Sequence, residues 1–104
     1  MYYTAYELYV PDDTENVEAI TKEIEALKLP DYGTWKGGWA AWGSWYDHEE
    51  DMKELSKKFP DVVFDLFGDG EESEDRWHKY FKNGRMQYCP CRFEFDPYDE
   101  SKLV

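Results

Sequence analysis

At 104 residues the chain can bury one modest core but not two, and its 5 Trp, 9 Tyr and 6 Phe supply large rings for it. That aromatic richness argues against disorder, despite a mean hydropathy of -0.90 and 35% charged residues. The net charge of -12 counts against direct binding to a nucleic-acid backbone or an anionic membrane, and favours basic partners.

Tyr2–Val10 is rich in β-formers and alternates Tyr2, Thr4, Tyr6, Leu8 and Val10 against Tyr3, Ala5, Glu7 and Tyr9. Pro11 and two aspartates end this strand. A helix is predicted next, capped by Asp13 or Thr14, with Val17, Ile20, Ile24 and Leu27 as its apolar stripe. Lys28 sits near its end, and Pro30 forbids continuation. In "GGWAAWGSWYD" neither alternating face is polar, which predicts a central strand covered on both sides or one with an exposed aromatic face. Asp47 should then cap a second helix, with Glu50 as its capping-box partner and Met52, Leu55 and Phe59 as its stripe, closed by Pro60.

"DVVFDLFG" is a strand with Val62, Phe64 and Leu66 on one side. An acidic stretch follows, "GDGEESEDRW", in which Gly68 and Gly70 are expected to give turn flexibility. Two alternating aromatic runs then flank Asn83-Gly84, the strongest short hairpin signal, because a type I′ turn needs positive φ at both positions. That register sets Phe81 against Met86, Lys79 against Tyr88 and Trp77 against Pro90. The order strand, helix, strand, helix, then three strands predicts a single α+β domain over residues 1–104. Its expected form is a ferredoxin-like two-layer sandwich, an antiparallel-rich sheet with two helices on one face and a C-terminal β-hairpin.

The segments "WAAWGSWYD" and "LSKKFPDVVFDLFGDGEESEDRWHKYFKNG" together resemble the ferredoxin-like domain of YubB/Api-type proteins from phages and plasmids. Trp42-Gly43-Ser44 with Trp45 matches that family's Trp-Gly strand, and Leu55–Pro60 its helix-ending phrase, within roughly residues 39–88. Ala41 stands where the family has Asn, and the stretch between the Trp strand and the helix is shorter. The resemblance implies a mobile-element origin and is nearly silent on activity.

No enzyme signature is present. His48 and His78 have no nucleophile partner in a recognisable phase, no Ser lies in a nucleophile elbow, and no Gly-rich phosphate loop precedes a helix. Cys89-Pro90-Cys91 lacks the second pair a structural zinc site needs, and the two thiols are expected to point into the core as small hydrophobes. They are too few and too close for a disulfide framework. The acids around Asp65, Asp69 and Gly70 do not follow the EF-hand phase. No metal or other cofactor is expected. No apolar run reaches the ~20 residues of a spanning helix and no signal peptide is evident, so the expected location is the cytoplasm, that of a host cell if phage-encoded.

Charge layout is the informative feature. Residues 76–93 carry Arg76, Lys79, Lys82, Arg85 and Arg92 with no acid, which leaves seven bases against all 24 acids elsewhere. Two functions from different classes fit this layout. The first is a small acidic interaction protein that binds a basic surface of a host protein, such as the nucleic-acid channel of a defence nuclease, through Asp47, Glu49, Glu50, Asp51, Asp69, Glu71, Glu72, Glu74 and Asp75. The second is a nucleic-acid or small-ligand module that uses Arg76, Trp77, Lys79, Tyr80, Lys82 and Arg85, with bases stacked on rings beside cations. The global charge favours the first.

Overall fold

The computed structural model describes residues 2–27 and 39–104. Five strands, β1 (Thr4–Tyr9), β2 (Ala40–Gly43), β3 (Phe64–Gly70), β4 (Arg76–Lys82) and β5 (Arg85–Pro90), form one antiparallel sheet in the order β2-β1-β3-β4-β5. Helices α1 (Val17–Glu25) and α2 (His48–Lys58) complete a two-layer α+β arrangement. This strand order differs from that expected of a ferredoxin-like sheet.

One face of the sheet carries the core. Tyr6, Leu8, Ala41, Phe64, Leu66, Trp77 and Phe81 pack there with Ile20 and Ile24 of α1 and Met52 and Leu55 of α2. Period-2 alternation dictates this set in the strands, and helical spacing dictates it in the helices. Each buried Ile, Leu or Phe side chain contributes about 1.5–3 kcal/mol of transfer free energy.

The hairpin is as read. Trp77 pairs with Pro90, Lys79 with Tyr88 and Phe81 with Met86, and φ is +47° at Asn83 and +80° at Gly84. The helix starts are corrected. α1 begins at Val17 behind Asn16, which takes the left-handed conformation that Asn tolerates and makes no side-chain cap; neither Asp13 nor Thr14 caps it. Asp47 does precede α2, but its φ of -94° and ψ of 20° are not the extended backbone from which a side chain caps, and its carboxylate makes no cap bond. Lys28 and Pro30, read as the end of the first helix, lie outside the described residues.

Among the described residues the four-residue Trp strand lies at the edge of the sheet and is not a central strand covered on both sides; of the two forms expected, it takes the one with an exposed aromatic face. Trp42 is 48% exposed and stacks on Tyr3 at 5.5 Å, whereas Trp45 leaves the strand and is buried. Gly68 and Gly70 belong to β3 and are not turn residues. Gly68 is bare because the Trp77 ring lies directly on it: a Cβ would overlap the ring. Cys89 is half-buried and Cys91 exposed, neither in the core, because Met86, Tyr88 and Pro90 take the helix-facing positions of β5. Among the described residues no helix is long and apolar enough to cross a membrane.

Candidate functional site

Antiparallel pairing of β1 with β3 places Tyr2, the β3–β4 loop and the Gly43 end of β2 at one end of the sheet. α2 starts there too. The loop itself is only Glu71–Asp75, because β3 runs to Gly70 and β4 starts at Arg76. Its turn is closed by backbone bonds from Gly70 N–H to the Asp75 carbonyl at 2.8 Å and from Asp75 N–H to the Glu72 carbonyl at 3.0 Å. The Tyr2 hydroxyl donates to Asp75 Oδ2 at 2.6 Å and accepts from the Glu72 N–H at 3.2 Å. Donating to a carboxylate raises the Tyr2 pKa, since ionisation would set two anions together. Ser44 Oγ donates to the Tyr2 carbonyl, which ties the end of β2 to the same point.

Beneath the loop lies a shallow pocket of about 320 Å³ lined by Glu49, Asp75, Trp77, Lys79, Met86 and Tyr88. Its cation is Lys79, a nearly buried side chain on the core face of β4. Lys79 Nζ donates to Glu49 Oε2 at 2.9 Å and to His48 Nε2 at 2.7 Å, and sits 4.2 Å from the Trp77 ring centroid. His48 stacks on Trp77 at 5.2 Å and bonds the Trp45 carbonyl through Nδ1 at 2.9 Å. A neutral ring with its proton on Nδ1 satisfies both bonds, leaving the Nε2 lone pair for Lys79. Burial, then the Lys79 charge, holds the His48 pKa below its ordinary value, and the bond from Lys79 holds Glu49 below the ordinary carboxylate value.

The nine acids therefore divide. Asp69 pairs with Arg76 at 3.1 Å on the sheet face turned away from the helices, and Glu49 with Lys79. Asp51 accepts from Trp45 Nε1 at 2.7 Å, and Asp75 from Tyr2. Asp47, Glu50, Glu71, Glu72 and Glu74 are exposed, and none has an ion-pair partner among the described residues. Two acidic stretches more than twenty positions apart in the sequence thus present one anionic end.

The six residues of the hairpin reading are divided between the two faces of the sheet. Trp77 and Lys79 face the helices, while Arg76, Tyr80, Lys82 and Arg85 occupy the alternate, outward positions. The Lys79–His48 pair was missed in the sequence. Its signal is the alternation Trp77-x-Lys79-x-Phe81, which puts a lysine on a core face where it must find partners. Among the described residues no group of three or more His, Cys, Asp or Glu side chains is arranged to hold a metal ion. No family model, no curated protein and no solved structure matches this chain.

Proposed function

We propose that this is a small acidic interaction protein that acts by binding, without catalysis or cofactor, and docks its β3–β4 end on a basic surface of a protein partner. The observation that carries this reading is the convergence of Asp47, Glu50, Glu71, Glu72 and Glu74, exposed and without an ion-pair partner among the described residues, on one end of the sheet. Tyr2, Ser44 and Trp45 brace this end by donating to Asp75, the Tyr2 carbonyl and Asp51, and none of these bonds engages the five exposed carboxylates. Carboxylates fixed in this way stand in for phosphates on a lysine- and arginine-lined surface. With the family resemblance and the mobile-element origin it implies, the partner is a nucleic-acid-binding nuclease of host defence, such as a CRISPR effector, and the protein is its inhibitor in the host cytoplasm. A distant ferredoxin-like kinship belongs to the same proposal.

Each exposed ion pair is worth only about 0–1 kcal/mol, so several must act together. The test compares wild type with a variant in which Asp47, Glu50, Glu71, Glu72 and Glu74 are changed to Asn or Gln. A control variant neutralises Asp12, Asp13, Glu15, Glu18 and Glu25, five exposed acids of the segment leading into and along α1. A partner captured from host lysate should be retained by wild type and control, lost by the site variant, released by added salt and displaced by DNA. Equal capture by all three proteins would refute the proposal, as would indifference to DNA.

A further inference from the structure

Three exposed aromatic side chains lie close together in one stretch. Every residue from Cys91 to Val104 is exposed, with Phe95 at 90%, Tyr98 at 76% and Phe93 at 55%. Acids alternate with the rings, as Glu94, Asp96, Asp99 and Glu100. The Cys91 N–H bonds the Arg76 carbonyl at 2.9 Å. Beyond it the stretch has local order of its own, since Asp99 caps the short 3-10 turn Glu100–Lys102 through the Ser101 N–H at 3.0 Å. Uncovered rings grouped this closely mark a docking segment.

At the opposite end of β5, the hairpin and the chain entering β3 enclose an open depression of about 860 Å³. Val63 and Tyr80 give it apolar surface, Gln87 a neutral polar group, and Lys82 and Arg85 two exposed cations without a carboxylate partner among the described residues; Asp61 is its one acid. An acidic aromatic segment and a basic aromatic depression on one molecule are complementary. We propose that residues 93–96 of one copy seat in this depression of a second copy, with Phe93 and Phe95 on Val63 and Tyr80 and with Glu94 and Asp96 on Lys82 and Arg85. The depression takes in Arg85, Met86 and Gln87 at the start of β5, and the segment begins beyond the strand's far end, which favours the exchange between copies. A two-fold dimer makes the contact twice. Two chains of charge -12 repel at long range, but near physiological salt that repulsion is screened beyond roughly 8 Å and contact pairs prevail.

Sedimentation equilibrium of the full chain at such salt should show a concentration-dependent dimer. Lys82→Glu with Arg85→Glu should weaken it at least tenfold, and so should Glu94→Lys with Asp96→Lys. Mixing the two charge-reversed proteins should restore a heterodimer of wild-type strength, since each depression then meets a segment of opposite charge. Phe95→Ala, at a position without packing, should weaken association while leaving circular dichroism and melting unchanged, and it covers any failure of a reversed variant to fold. A monomer at all concentrations would overturn the proposal. So would a dimer indifferent to these changes, or a mixture that does not recover.

Discussion

The two ends of the sheet handle charge in opposite ways. At the β3–β4 end, carboxylates outnumber cations, and Tyr2, Ser44 and Trp45 supply hydrogen bonds from uncharged donors. At the hairpin end, two lysines of α2 pair locally. Lys57 meets Glu54 at 3.0 Å, and Lys58 meets Glu23 at 2.7 Å across to α1. The turn there is held by buried Ser56, whose hydroxyl accepts from the Gly84 N–H at 2.8 Å. α2 joins the two ends with Glu49, Glu50 and Asp51 in its first turn and Lys57 and Lys58 in its last, the arrangement its macrodipole favours. Charge at the first end is thus left available for a partner, whereas charge at the second is partly spent within the fold.

The comparison can be broken hardest under the acidic end. Trp77→Ala should cost about 3–5 kcal/mol, because it opens a cavity below His48 and removes the ring under Lys79. Gly68→Ala, which drives a methyl into that ring, should cost about 1–3 kcal/mol. Chemical denaturation measures both. A loss below about 1 kcal/mol for Trp77→Ala would show that this floor is not what supports the site.

Acid should act at the same place. His48 has a folded pKa below its ordinary value near 6.5, so the unfolded chain binds more protons between those two values. Stability contributed there is fully present above about pH 6.5 and is lost as pH falls toward the depressed value. Protonating His48 sets a cation against Lys79 Nζ, which Glu49 and Asp51 partly offset. The melting temperature should fall from pH 7 to pH 5, and His48→Gln should flatten that slope. Glu49 adds a loss of the same sign at lower pH, since its folded pKa is also depressed. An unchanged slope in His48→Gln would assign the effect to other groups.

At the hairpin end, Ser56→Ala should cost only about 1 kcal/mol, the value of one hydrogen bond, and leave the pH slope intact. The smallest effect belongs to Tyr2→Phe. It should barely move the melting temperature but quicken hydrogen exchange at the Glu72 amide, which loses its acceptor. Unaltered exchange would mean that the loop is held by its backbone bonds alone.

Much of the architecture was legible because it is local. Asn83-Gly84 permits the positive φ of a tight turn, and once that turn is placed, period 2 assigns every partner along β4 and β5. Ile20, Ile24, Met52 and Leu55 were readable as core for the same reason, since helical spacing puts them on one stripe. Strand order was not legible, because alternation fixes which face a residue takes and not which neighbour its strand finds. That choice put the Trp strand at an edge, set Gly68 under Trp77, and led Lys79 to Glu49 and His48 of α2. Composition determined that this chain is acidic and aromatic. Only tertiary pairing of β1 with β2 and β3 decided that its two acidic stretches lie at the same end, because nothing local in either stretch encodes the other.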